Sequence, residues 1–369
     1  MKLIILAAYT KSLLNFRVPL MRAFLERGWE VFAAGPGEES YWGPRFAKHG
    51  VRFQSIPLNR NGLNPMADRK TYAALKEFFL KEKPDQLFCS QAKAVVYGVP
   101  AARVAGVAGI HVLISGLGSI FHGGGLKNAL VRKVLEWEYK SALKKADTVF
   151  FQNEDDRRTF FQKKLVEPAK TVMIHGSGVD VAKFVPTSFP EKMTFTIITR
   201  LLRDKGVCEF LEAARILKTR HPECRFVVAG PYDTNPSALG PKDLQPYLAD
   251  HTVDYLGELE DVRPALADST VFVFPSYHEG TPMCVLEAMA CGRAIVTTDA
   301  SGCRETVREG ENGYLVPVKS VEPLVKAMEC FLQEPSLCWR MGLLSRRIAE
   351  EVFAAEYVNA AILGAMGVK

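Results

Sequence analysis

The chain lacks several features that would have decided its class at once. It has no Cys-x-x-Cys pair: its eight cysteines stand scattered at 89, 208, 224, 284, 291, 303, 330 and 338. That spacing argues against both a zinc site and a disulfide framework, and suits a reducing cytoplasm. No uninterrupted apolar run is long enough to span a bilayer, and no low-complexity tract breaks the 369 residues. The run Lys2–Ala8 is too short for a signal segment and reads as a first buried strand. No recognition motif for nucleic acid accompanies the basic residues, which disfavours that class of partner.

What is present begins with length and charge. The length suits two domains of ordinary size. Residues 1–180 hold 27 Lys and Arg against 16 Asp and Glu, a net +11, while residues 181–369 hold 20 against 25, a net −5. Such asymmetry points to an anionic partner for the first half. Between Leu126 and Lys145, basic and apolar residues interleave at helical spacing, which leaves a cationic face bearing Trp137. That face is either a solvated helix surface or a contact with anionic lipid.

Strand-like runs alternate with amphipathic segments through both halves. The first half offers Leu3–Ala7, Glu30–Ala34, Val51–Ile56, Gln86–Cys89, His111–Ser115, Thr148–Gln152 and Thr171–Ile174. The second offers Thr194–Thr199, Arg225–Ala229, Asp254–Leu256, Val271–Phe274, Ala294–Thr298 and Gly313–Val316. This alternation predicts an α/β chain with two doubly wound, mostly parallel, Rossmann-like sheets. The Gly-, Pro-, Ser- and Thr-rich stretch from Gly176 to Pro190 marks the boundary. The expected division is a first domain 1–177, completed by a helical tail 350–369, and a second domain 178–349. A cleft between two such domains is a natural ligand site.

The residues that bear chemistry stand at strand ends. Glu279 and Glu287 lie eight positions apart, about two helical turns, with Gly280, Thr281, Pro282, Met283 and Cys284 following the first. Pro282 suits the first position of a helix. Carboxylates there can accept hydrogen bonds from hydroxyls, and helix-start amides can hold an anion. Both acids would follow the Val271–Phe274 strand, at the sheet end where open α/β sheets take ligands. Arg200 and Lys205 leave the carboxyl end of another strand, Thr194–Thr199, and would offset the charge of a diphosphate.

With these residues in place, the chain resembles the family 4 retaining glycosyltransferases. The resemblance rests on Arg200 and Lys205, the Glu279-x7-Glu287 pair, Gly176-Ser177-Gly178-Val179-Asp180, and the run from Asp299 to Pro317. It covers essentially the whole chain. The resemblance implies a two-domain GT-B fold, no required metal or cofactor, and a UDP-sugar held by the second domain. By the same resemblance Arg200, Lys205 and Glu279 would carry catalysis, with Glu279 on the donor sugar, Glu287 on the ribose, and Gly178 and the amides from Gly280 to Cys284 completing the donor site. Retention would proceed by same-face substitution, so Glu279 is not half of a glycosidase pair.

The first half is similar to enzymes that extend polyprenyl-diphosphate-linked sugars, particularly the α-1,3-N-acetylgalactosaminyltransferases of bacterial glycan assembly. The residues behind this are Asn15-Phe16-Arg17-Val18-Pro19, Arg60-Asn61-Gly62-Leu63-Asn64-Pro65 and Gly116-Leu117-Gly118-Ser119. The resemblance makes Arg17 and Arg60 candidates for the acceptor diphosphate, and Asn64, Gly116, Gly118 and Ser119 candidates for the rest of the acceptor site. It implies peripheral attachment to the inner face of the cytoplasmic membrane. Two departures stand out: no glycine pair follows the first strand, and Ser115 holds a place where many members carry histidine. His111 reads as structural. A UDP-sugar 2-epimerase of the same fold and a non-catalytic partner protein are the competing readings. Asp233-x-Asn235-Pro236 matches the subgroup without an assigned role.

Overall fold

A computed structural model describes residues 1–59, 64–116, 126–233, 235 and 237–368. The chain divides into two compact units, Met1–Ser177 with Ala355–Lys369, and Gly178–Ala354. The first unit holds β1 (Lys2–Ala7), β2 (Glu30–Gly35), β3 (Arg52–Ser55), β4 (Gln86–Ser90), β5 (Gly109–Ile114), β6 (Thr148–Phe151) and β7 (Thr171–Met173). These pair in the order β3-β2-β1-β4-β5-β6-β7. The second unit holds β8 (Thr194–Ile198), β9 (Arg225–Ala229), β10 (Asp254–Tyr255), β11 (Val271–Phe274), β12 (Ala294–Thr298) and β13 (Gly313–Val316), in the order β10-β9-β8-β11-β12-β13. Every pairing among these strands is parallel.

The central strands β8, β11 and β12 are buried along their whole length. Such strands need apolar residues on both faces, because helices cover a parallel sheet on each side. That is why they read as continuous apolar runs rather than alternating ones. Helix Val207–Arg220 shows the covering pattern, with Val207, Phe210, Leu211, Ala214 and Leu217 buried at three- and four-residue spacing.

Each sheet reverses its strand order once, between β1 and β4 and between β8 and β11. At such a reversal the loops leaving two adjacent strands diverge and open a crevice at their carboxyl ends. The crevice in the second unit therefore lies between the loops after Ile198 and Phe274.

The tail departs from expectation in where it begins. Helix Ser336–Glu351 runs through Glu350, and Phe353 then accepts a hydrogen bond from Val179 N at 2.8 Å, which keeps the chain in the second unit. Only helix Ala355–Ala365 joins the first unit, where Val358, Ile362 and Leu363 share a core with Leu20, Met21 and Phe24. All eight cysteines are unpaired, five of them buried, consistent with small apolar filling.

Candidate active site

Arg200 follows β8 by two residues, and its Nη1 donates to Asp233 Oδ2 at 2.9 Å. Asp233 is itself braced, since its Oδ1 accepts from Asn235 N at 2.8 Å. The short turn Arg203–Lys205 comes next and closes on Gly206 at φ +72°. A Cβ at Gly206 would fall 2.1 Å from the carbonyl oxygen of Pro275, so only glycine lets this turn press against the loop after β11. Asp204 ties the two loops: its carbonyl accepts from Tyr277 N at 3.0 Å and from Ser276 Oγ at 3.2 Å, and its Oδ1 from Ser237 Oγ at 3.0 Å.

Lys205 Nζ donates to Glu279 Oε1, and Ser276 Oγ donates to the same oxygen at 2.7 Å. The two charged side chains are only 15% and 16% exposed. A pair this sheltered holds its geometry and feels little screening, but removing one partner strands the other charge. The Glu279 loop is fixed from behind by Glu279 N donating to Ser301 O at 2.8 Å.

Helix Met283–Ala290 opens after Pro282, which stands at the N-cap with ψ 110° rather than at the first helical position. The Pro282 carbonyl takes bonds from Val285 N and Leu286 N, so the proline stays extended while the helix starts one residue later. The two-turn spacing of the glutamates is accordingly not helical throughout: Glu279 precedes the helix by four residues. They nevertheless converge. Burial raises the Cys284 thiol well above its usual range, and the carboxylates of both Glu279 and Glu287 add to that rise while Lys205 opposes it. Cys284 thus lies within electrostatic reach of all three, on the first turn, where backbone N–H groups lack intrahelical acceptors and the dipole favours an anion.

Glu287 is the second unusual carboxylate. Burial pushes it up to about 7; Lys183 opposes the rise and Asp261 adds to it. Among the described residues no group hydrogen-bonds its carboxylate. A desolvated acid without a protein partner is suited to a ligand's hydroxyls. Because its folded value is raised, its contribution to stability is full below the usual carboxylate range and is lost as pH climbs through about 7. Glu287→Gln is therefore expected to raise stability at pH 8, on the order of 2 kcal/mol, and to leave it nearly unchanged at pH 4.5. Thermal melts at both pH values check this, and an equal shift at both contradicts it.

The remaining sequence candidates fall elsewhere. Gly178 opens the second unit at φ +76° and bonds none of the other donor candidates. In the first unit Arg17 is buried, its guanidinium 5.7 Å from the Phe88 ring, and burial lowers it to about 10. No described side chain pairs with it. Asn64 caps helix Pro65–Glu82 by accepting from Ala67 N at 3.1 Å. Gly116 has φ +112° just past β5. Arg60, Gly118 and Ser119 lie outside the described residues. His111 is buried inside β5, with burial lowering it to about 4 against the pull of Asp147, in keeping with a structural role. Sequence reasoning gave no role to Asp233 and did not find Asp204 or Ser276, which position Arg200, the two loops and Glu279.

Two doubly wound parallel sheets, one with paired cations and carboxylates at its strand-order reversal, define a GT-B protein. HepE of Anabaena, solved with UDP-glucose, superposes over 100% of this chain and 99% of its own with a TM-score of 0.79 at 17% identity. A glycosyl transferase 4-like domain matches residues 18–176, and glycosyl transferases group 1 matches residues 192–334. The N,N'-diacetylbacillosaminyl-diphospho-undecaprenol alpha-1,3-N-acetylgalactosaminyltransferase of Campylobacter jejuni is 30% identical over 340 residues, 88% of each chain. The UDP-Gal:alpha-D-GlcNAc-diphosphoundecaprenol alpha-1,3-galactosyltransferase of Escherichia coli is 26% identical over 75% of this chain and 74% of its own. The chain belongs to the group 1, family 4-like glycosyltransferases.

Proposed function

We propose that this protein transfers a sugar, N-acetylgalactosamine before other hexosamines or hexoses, from a UDP-sugar to an undecaprenyl-diphosphate-linked sugar, with retention of configuration. Such a step belongs to cell-envelope or protein-glycan assembly. The observation that carries the reading is the Lys205–Glu279 pair ahead of helix Met283–Ala290, which carries Glu287, with Arg200 held by Asp233 in the loop after β8. The two cations offset the diphosphate, the first-turn amides add hydrogen bonds to it, and Glu287 accepts from ribose hydroxyls. Glu279, held by Lys205 and Ser276, accepts from the donor sugar. No resident metal enters this reading.

In the reaction, the bond from the sugar's C1 to the phosphate oxygen breaks with its electron pair going to the phosphate. The acceptor hydroxyl oxygen bonds to C1 on the same face, and its proton passes to the departing phosphate oxygen. Negative charge grows on the diphosphate as the bond opens, so cations fixed beforehand by Asp233 and Glu279 stabilise the transition state more than the ground state. A matrix of UDP-sugars against short polyprenyl-diphosphate sugars, with product linkage determined, tests the reading. An α-linked product with UDP released supports it; inversion at C2 without acceptor overturns it in favour of an epimerase.

A membrane-borne acceptor gives the basic first half a purpose. Among the described residues no helix is long and apolar enough to cross a membrane. Helix Leu126–Leu143 instead exposes Leu130 at 67%, Val134 at 40% and Trp137 at 71%. At about 100° per residue these three share one side of the helix, flanked by the exposed Lys133 and Lys140. An apolar stripe beside lysines suits the interface of an anionic leaflet, here the cytoplasmic face. At ~1 kcal/mol per cation, Lys133→Ala with Lys140→Ala should weaken partition onto anionic vesicles about 30-fold at low salt. Co-sedimentation with neutral and anionic liposomes checks it, and equal partition onto both contradicts it.

A further inference from the structure

The first unit contains a cavity of about 510 Å³ between helices Pro65–Glu82, Ala92–Val104 and Leu126–Leu143. Asn64 at its rim caps helix Pro65–Glu82 by accepting from Ala67 N at 3.1 Å. Its wall carries Asp68, Arg69, Tyr72, Tyr97, Val134 and Glu138. None of these residues takes part in the donor site.

We infer that this cavity is a carbohydrate subsite, holding the sugar of the lipid-linked acceptor, an inference that rests on the reading under Proposed function. Four observations point to a neutral polyhydroxylated ligand. Asp68 is 8% exposed, pairs with Lys93 Nζ at 2.7 Å and also interacts with the Tyr97 hydroxyl, so its charge is balanced inside the cluster. Counting Arg69 and Glu138 with that pair, the formal charges of the cluster cancel, which favours neither a cation nor an anion. Tyr97 Oη donates to Glu138 Oε1 across 3.4 Å, a long bond that a ligand hydroxyl can replace at little cost. Tyr72, Tyr97 and Val134 supply the apolar surface that the C–H face of a pyranose needs. Burial, with a smaller push from Asp68, raises Glu138, against the opposing effects of Tyr97 and Lys93, as expected of an acid awaiting a hydrogen-bond donor.

Competing ligands fit less well. Among the described residues no group of three His, Cys, Asp or Glu could hold a metal ion. An isoprenoid chain would bury Asp68 and Glu138 against hydrocarbon at high cost. The volume lies within the 300–1,000 Å³ range of small-molecule sites. Val134, which lines the cavity, also belongs to the exposed stripe of helix Leu126–Leu143, so a sugar tethered to membrane lipid has a short route in.

The test uses the full chain, wild type and with Tyr97→Phe or Glu138→Gln, and a farnesyl-diphosphate-linked N-acetylhexosamine as acceptor. The expected result is an acceptor KM raised at least about tenfold, with kcat within about twofold and the UDP-sugar KM unchanged. Saturation-transfer NMR with methyl N-acetylglucosaminide reads the subsite without turnover. Contact with the wild type, lost in Tyr97→Phe, supports the inference. Contact with a wild type that glycosylates no lipid-linked acceptor leaves the subsite standing and removes the acceptor reading. Unchanged KM together with undiminished contact in both variants overturns the subsite.

Discussion

Alanine at Lys205 is expected to lower kcat/KM for transfer by about 10²–10³, the scale of removing one fixed donor from a charge that develops in the transition state. The loss has two sources. The proposed leaving diphosphate loses a cation, and Glu279, 16% exposed, keeps its bond from Ser276 Oγ but loses the cation that offsets its charge. The double variant Lys205→Ala, Glu279→Gln should therefore recover part of the donor KM but none of the lost kcat. Arg200→Ala should cost a similar factor with a milder effect on folding, because Arg200 is 36% exposed and its partner Asp233 retains a bond from Asn235 N. Steady-state kinetics at saturating acceptor, with thermal melts to confirm folding, read both effects. Wild-type turnover in either single variant would remove the diphosphate assignment.

Gly302→Ala is expected to reduce kcat by about 10²-fold without touching a single candidate side chain. Gly302 sits at φ +79°, and a Cβ there would stand 2.4 Å from the carbonyl oxygen of Glu279 and 2.5 Å from that of Gly280. No flexible side chain can yield; the backbone of the Glu279 loop must move. A displacement near 1 Å at the group proposed to hold the donor sugar is worth about two orders of magnitude in rate. The left-handed backbone adds ~1–3 kcal/mol of strain for a residue with a Cβ. Kinetics and a melt on the same preparation separate the two. A variant with lowered stability and unchanged kcat would show that Glu279 need not sit where it does.

Much of the fold was legible because parallel sheets leave a strong trace. All thirteen strands described above were readable, the inner ones because a strand buried on both faces must be an apolar run and the helix after it must be amphipathic, the edge strands β3, β7 and β10 from the alternation around them. The position of Arg200, Lys205 and Glu279 in loops after strands was readable for the same reason: strand ends fix where loops begin. The supports of these residues were not. Asp233 lies 33 residues from Arg200, and Ser276 and Glu279 more than 70 from Asp204 and Lys205, so no local period links them. Glycines leave no trace of their neighbours in sequence either, and only the backbone shows what Gly206 and Gly302 allow. The Tyr97 and Glu138 contact spans 41 residues across two helices, which hid the first-unit cavity in the same way.

The central claim is that the helix start at Met283, with Lys205, Arg200, Glu279 and Glu287 around it, is the nucleotide-sugar site. A crystal structure of the full chain with UDP at pH 8 tests it most directly. The predicted result places the diphosphate on Arg200, Lys205 and the amides of Met283 and Cys284, with the ribose hydroxyls on Glu287. A diphosphate bound anywhere else, with these side chains as they stand now, would contradict it.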